Sequence, residues 1–171
     1  GRWVVVANAG DSRCVLGIVR SCSDSGHLQV KAIALSKDHR PDDPQELRLV
    51  QSKGGFVLHR YGSGVPRVMG VLAVSRALGD VSLKPFITAE PDVVTLRLAA
   101  EHWFLVMGTD GLWDVFTNGE VIEFILSRLL QGFPDCGALA LAQEALLRGS
   151  VDNISVLVVD LRARDMARDF P

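Results

Sequence analysis

Short apolar runs separated by turn residues recur through the first 108 positions of this 171-residue chain, and the last of these, Trp103-Phe104-Leu105-Val106-Met107-Gly108, leads into a carboxylate. Runs this short, rich in β-branched and aromatic side chains and bounded by Gly, Asn, Asp and Pro, read as strands. The segment that follows is Thr109-Asp110-Gly111-Leu112-Trp113-Asp114. Gly111 lets the backbone turn sharply as the strand leaves the core. Asp114 brings a second carboxylate four residues after Asp110, so two hard oxygen donors can converge there on a divalent cation. Asp152-Asn153 opens another apolar run, 154–159, and supplies a distant carboxylate at a strand end.

Strands are expected at 3–7 and 14–19, joined as a hairpin across Asn8-Ala9-Gly10 with Asp11 near its turn. Others are expected at 29–35, 85–88, 93–98, 103–107 and 154–161. Segments 56–59 and 65–69 flank Tyr61-Gly62-Ser63-Gly64 and read as an irregular hairpin with a mobile flap. Asp43-Pro44-Gln45-Glu46 carries a cap, a proline at the first helical position and a glutamate three residues on, which starts a helix closed by Gly54-Gly55. Thr117-Asn118-Gly119-Glu120 is a capping box, and Val121, Ile122, Ile125 and Leu129 follow at helical spacing before Gly132. Asp135 is expected to cap a last helix over 136–148 with Leu139, Ala142, Leu146 and Leu147 as its apolar residues and Gly149 as its stop. Antiparallel-looking strands with a late helical pair argue for an α+β architecture, and the length suits one domain.

Composition narrows the function. The formal charge is −2, and no cluster of Lys and Arg interleaved with aromatics is present to track a phosphate backbone, so nucleic acid is not an expected partner. Cys14, Cys22 and Cys136 are odd in number and unpaired in spacing, which argues against a disulfide framework or structural zinc and for an intracellular setting, cytoplasmic or nuclear. His27, His39, His59 and His102 include no pair at helical ligand spacing. No apolar stretch approaches bilayer-spanning length, so no membrane association is expected. The chain opens inside a predicted core strand without an initiator methionine, and reads as a piece of something longer.

Five segments, in order, resemble the metal-dependent serine/threonine protein phosphatases of the PP2C (PPM) family. They are Ala7-Asn8-Ala9-Gly10-Asp11-Ser12-Arg13, Leu35-Ser36-Lys37-Asp38-His39-Arg40-Pro41, the stretch 67–80 that ends Ser75-Arg76-Ala77-Leu78-Gly79-Asp80, the Thr109 to Asp114 segment, and Gly149-Ser150-Val151-Asp152-Asn153-Ile154-Ser155-Val156. The resemblance implies a four-layer α-β-β-α sandwich of two antiparallel sheets, amino-terminally truncated, with 1–162 as a partial phosphatase domain and 163–171 as a carboxy-terminal tail. It implies hydrolysis of phosphoserine and phosphothreonine in protein substrates through two Mg²⁺ or Mn²⁺ ions, by a protein monomeric at full length. Asp110 and Asp152 match the ligands of the paired ions, and Asp11 and Asp114, with Asp110, match those of a further, weaker site. Asn153 is expected to orient a ligand. Paired cations of this kind activate water and neutralise phosphoryl oxygens, and hard carboxylates suit them better than thiolates.

The family's amino-terminal Glu-Asp motif and Asp-Gly-His-Gly-Gly segment have no counterpart here. The catalytic acid and the phosphate-gripping arginine are therefore expected upstream, and little or no activity is expected of this fragment alone. The rival is a pseudophosphatase serving as a binding or scaffold module; a Ca²⁺-binding module is weaker still, because no single loop holds a spaced array of acidic ligands. The 61–66 loop lacks the tryptophan of plant hormone-coupled members, which disfavours that subgroup. Arg76 is expected to act structurally on carbonyls or a nearby Asp such as Asp80, His39 to be a solvated loop histidine without a catalytic role, and Trp103 and Trp113 to pack.

Overall fold

The computed structural model describes residues 2–21, 27–59 and 64–162, and among them the apolar runs form strands and the capped segments form helices in an α+β arrangement. In chain order these are β1 (Trp3–Asn8), β2 (Arg13–Ser21), β3 (Leu28–Ala34), α1 (Pro44–Ser52), β4 (Val57–Leu58), β5 (Arg67–Val68), β6 (Asp92–Arg97), β7 (His102–Gly108), α2 (Asp110–Trp113), α3 (Asn118–Leu130), α4 (Ala138–Leu147) and β8 (Val156–Asp160). The chain divides into two compact units, one built from Gly1–Val6, Arg13–Ser36 and Val94–Pro171, the other from Ala7–Ser12 and Lys37–Val93. Cys22, the centre of the expected flap at 61–63 and the expected tail at 163–171 lie outside the described residues.

The first unit is organised by an antiparallel sheet of order β3-β2-β7-β8. Successive side chains of a strand point to opposite faces, and both faces here are apolar. On one, Val15, Val19, Phe104 and Val106 pack with Val121, Ile122, Ile125 and Leu129 of α3 and Leu141 and Ala145 of α4. On the other, Cys14, Leu16, Ile18 and Leu105 pack with Val4 and Val6 of β1 and with Leu96 and Leu98. Each large apolar side chain removed from water on these faces contributes about 1.5–3 kcal/mol. Gly17 stands opposite Phe104, and a Cβ there would lie 2.5 Å from the Phe104 ring, so the glycine makes room for the aromatic at the centre of the core. Burial pushes the Cys14 thiol up to about 11, which leaves it inert at neutral pH.

Three local expectations are corrected. Strands β1 and β2 do not form a hairpin: β1 pairs with β6, and the neighbours of β2 are β3 and β7. The turn-like Asn8-Ala9-Gly10 serves another purpose, described below. In α4 the buried residues are Leu141 and Ala145, whereas Leu139, Leu146 and Leu147 are exposed. The helix is apolar on most sides, so periodicity offered little contrast for choosing its inner face. Its regular turns begin at Ala138, after Gly137 in the left-handed region, yet the Asp135 carboxylate still accepts from the N–H of Gly137 and of Leu139 at 3.0 Å each. Finally, 85–88 is not a strand; a 3₁₀ turn at Val81–Leu83 precedes it, and Thr88 makes only an isolated bridge to Arg76.

The second unit packs α1 and the antiparallel pair β4–β5 around Val50, Val68 and Ile87. The Asp43 carboxylate caps α1 by accepting from the Gln45 N–H at 2.9 Å, and Gly54, at φ +78°, follows the helix in the left-handed conformation that glycine takes most readily.

The predicted capping box of α3 is present in both directions, and Arg148 adds a 2.7 Å bond to Glu120. The Thr117 N–H, then Arg148 and the Thr117 hydroxyl, hold the Glu120 carboxyl down to about 2. A lowered folded-state pKa stabilises above the unfolded value and loses that contribution as pH falls through the folded one. The stability advantage of the wild type over Glu120→Gln, followed by urea unfolding, is therefore expected to be full above about pH 5 and to shrink steadily toward about pH 2.

Candidate metal centre

Asp110, Asp114 and Asp152 belong to the first unit, and Asp11 belongs to the second. Strand β7 delivers Asp110, because pairing with β2 on one side and β8 on the other fixes its register up to Gly108, opposite Arg13 and Val156. The backbone then enters the single turn α2, with Thr109 before it and Asp110 as its first residue. The Asp114 N–H donates to the Asp110 carbonyl at 2.8 Å, so the two aspartates stand one helical turn apart on one side, as the spacing of four requires. Leu112 and Trp113 point into the core and anchor the turn, and the indole N–H of Trp113 donates to the Gly108 carbonyl at 2.9 Å.

Asp152 is carried to the same place by the turn that leads into β8. The Thr109 N–H donates to Ser155 O at 3.2 Å, the Ser155 N–H donates to the Thr109 hydroxyl at 3.0 Å, and that hydroxyl donates to Asn153 O at 3.1 Å. The Ser150 hydroxyl donates to Gly111 O at 2.6 Å. This lacing presses Gly111 against the Asp152-Asn153 backbone: a Cβ at 111 would lie 2.6 Å from Asn153 O and 3.2 Å from the Asp152 Cβ. The glycine in the acidic segment is thus required by close approach of a second strand end, beyond the sharp turn inferred from sequence. Each carboxylate is oriented by its neighbour's amide, Asp110 Oδ1 accepting from the Gly111 N–H at 3.0 Å and Asp152 Oδ1 from the Asn153 N–H at 2.6 Å.

Carboxylate oxygens are the donors that Mg²⁺ and Mn²⁺ prefer, and two of them here sit on segments held in contact, so the residues fit such an ion as part of a ligand set. Among the described residues, no group of three or more His, Cys, Asp or Glu side chains is gathered closely enough to hold a metal.

Two residues have roles that sequence reasoning missed. Arg13, in the first motif, lies over the Trp113 ring at 5.1 Å and donates to Asn118 Oδ1 at 2.7 Å, bracing α2 from the neighbouring strand. His39, expected in solvent, is fully buried in the second unit. Its Nδ1 accepts from the Gly10 N–H at 3.2 Å and its Nε2 lies 3.1 Å from Asp92 Oδ2. That hydrogen bond is the main cause holding the Asp92 carboxyl below its usual range. Arg76 is structural as expected, but its partners are Glu46, at 2.6 and 3.0 Å, and Asp92, at 2.8 Å, in place of Asp80. Burial pushes the Glu46 carboxyl up, and hydrogen bonds from Arg76 and Ser75 outweigh it, leaving the group below the ordinary range.

Sequence and structure comparisons agree on the class. The profile of the family described as Protein phosphatase 2C matches residues 2–154, and the chain belongs to that family. It is 44% identical over 162 residues to Probable protein phosphatase 2C 68 of Oryza sativa subsp. japonica, covering 93% of this chain and 42% of that protein. It is 40% identical over 190 residues to Probable protein phosphatase 2C 78 of Arabidopsis thaliana, covering 93% and 43%. Among solved structures, a serine-threonine phosphatase 2C from Toxoplasma gondii superposes with a TM-score of 0.79 at 28% identity, over 92% of this chain and 54% of that one. A C. elegans sex determining protein gives a TM-score of 0.75 at 29% identity, over 94% and 37%. The chain therefore spans about two fifths of the length of the curated relatives it matches.

The contact at Gly111 yields a direct test. Gly111→Ala is expected to lower stability by about 1–3 kcal/mol, because the added methyl meets backbone that cannot move without breaking the Thr109–Ser155 bonds. Urea unfolding of the variant checks this, and Gly119→Ala, where a Cβ meets nothing within 4 Å, serves as the control.

Proposed function

We propose that residues 1–162 form part of a metal-dependent protein phosphatase domain, with 163–171 as its tail, and that the complete domain hydrolyses phosphoserine and phosphothreonine in protein substrates. The observation that carries this reading is the packing of Gly111 on Asp152-Asn153, which places Asp110 and Asp152 on adjoining strand ends in a chain of the protein phosphatase 2C family. Asp110 and Asp152 would hold the paired Mg²⁺ or Mn²⁺ ions, and Asp11 and Asp114, with Asp110, a further one. When bound, such a pair supplies Lewis-acid activation of water and charge neutralisation at the phosphoryl group. The protein's own part is to aim the carboxylates, which the amides of Gly111 and Asn153 do by hydrogen bonding to Asp110 and Asp152. Asn153 thus orients a ligand through its backbone.

The same reading extends the architecture to a four-layer sandwich. Helices α3 and α4 on one face of the central sheet, with β1 and β6 strands on the other, support three of its layers. On this reading the full-length protein would act as a monomer in the cytoplasm or nucleus.

The test uses the full-length gene product and a phosphothreonine peptide. Mn²⁺-dependent phosphate release is expected, and Asp110→Asn and Asp152→Asn are each expected to reduce it by more than about 100-fold with folding retained. Undiminished turnover in both variants would contradict the ligand assignment. A wild type that binds the phosphopeptide without Mn²⁺-dependent release would instead identify a pseudophosphatase.

A further inference from the structure

We propose that His39 is a positioning residue for Asp11, setting the orientation of the peptide that carries it; the link to metal binding rests on the reading of Asp11 as a ligand given above. Both sides of Gly10 are held by this one residue. The Gly10 N–H donates to His39 Nδ1 at 3.2 Å, and the Gly10 carbonyl accepts from the His39 N–H at 3.0 Å and from the Asn8 amide at 3.0 Å. That carbonyl lies in the planar peptide unit that joins Gly10 to Asp11, so fixing it fixes the plane from which the Asp11 Cα departs. Gly10 itself is at φ +132°, a conformation that L side chains rarely adopt, and the loop holds it there by these bonds. This is what Asn8-Ala9-Gly10 does in place of turning a hairpin.

The ring is in turn held rigidly. Because Nδ1 accepts an amide proton, Nε2 carries the ring proton and donates it to Asp92 Oδ2. Asp92 Oδ1 accepts from Arg76, Arg76 grips both oxygens of Glu46, and Glu46 accepts from the Ser75 hydroxyl at 2.6 Å. The Ser75 N–H then donates to the His39 carbonyl at 3.0 Å, which closes the circuit. Four residues of the second unit, Glu46, Ser75, Arg76 and Asp92, thereby fix the one imidazole, and its Nδ1 is committed to Gly10. A closed circuit that includes several charge-assisted bonds holds position more tightly than an isolated pair.

The two ring nitrogens can be separated by substitution. Asn can present an acceptor near the place of Nδ1 but does not reach Asp92, whereas Gln reaches toward Asp92 and leaves the Gly10 amide without its partner. Full-length wild type, His39→Asn, His39→Gln and Asp11→Ala are compared in two measurements. One is Mn²⁺ titration followed by the free-ion EPR signal, in which Asp11→Ala defines the weak class of site. The other is hydrogen exchange at the Gly10 amide. His39→Gln is expected to weaken the Asp11-dependent class about 10-fold and to speed Gly10 exchange about 10-fold, while His39→Asn stays near wild type in both. Equal losses in the two His39 variants would show a role in stability alone, and a wild-type response in His39→Gln would remove the role altogether; either result overturns the proposal. Should both His39 variants fail to fold, Asp92→Asn, which leaves the ring but loosens its hold, is read by the same two measurements. If Asp11→Ala leaves the Mn²⁺ titration unchanged, the ligand reading of Asp11 fails, and Gly10 exchange alone decides whether His39 governs the loop.

Discussion

Strand β7 is hydrogen-bonded on both sides, to β2 and to β8, and the rest of the first unit depends on that double pairing. Register with β2 sets Phe104 over Gly17, where the missing Cβ leaves the ring room, and sets Gly108 opposite Arg13. Register with β8 sets Gly108 opposite Val156, so the turn before β8 arrives where β7 ends. A one-residue slip of either strand would reverse every side chain and exchange its two apolar faces. The site inherits this precision: Asp110 is two residues beyond the last paired position of β7, and Asp152 lies four before the first of β8.

The second unit solves a different problem. Its core of Val50, Val68 and Ile87 is small, and it also buries the Glu46 carboxylate, which costs free energy unless it is paired. Glu46 accepts from both Arg76 and Ser75, Arg76 is shared with Asp92, and Asp92 is shared with His39. Such a network is a poor source of stability compared with apolar packing, but it fixes orientation. Its terminus is the Gly10 peptide, which leads directly into Asp11.

Much of this was legible in the sequence wherever local chemistry decides the outcome. The Asp43 cap, the Thr117–Glu120 box and the passage from an apolar strand into Asp110 depend on residues within a few positions of one another, and all are as read. Pairing over long separations was not legible. The Asn8-Ala9-Gly10 composition suits a hairpin, but β1 finds β6, some ninety residues away, because Val4 and Val6 share a core with Leu96 and Leu98. The inner face of α4 was misread because Leu lies on opposite sides of that helix. His39 reads as a solvated loop residue because its stretch connects a strand to a helix, and the partners that bury it, Gly10 and Asp92, are 29 and 53 residues distant. Of the site itself, the residue types and the two strand ends were readable, whereas the Gly111 contact that joins them was not.

The central claim is that Asp110 and Asp152 would serve one paired-ion centre because their strand ends are pressed together at Gly111. Paramagnetic broadening by Mn²⁺ reads this directly in the amide NMR spectrum of the full-length protein. The Gly111 and Asn153 amides, one beside each carboxylate, are predicted to broaden together at the lowest Mn²⁺ additions and to stay sharp in Asp110→Asn. Broadening of one without the other, or of neither while Mn²⁺ is bound elsewhere, would contradict the account.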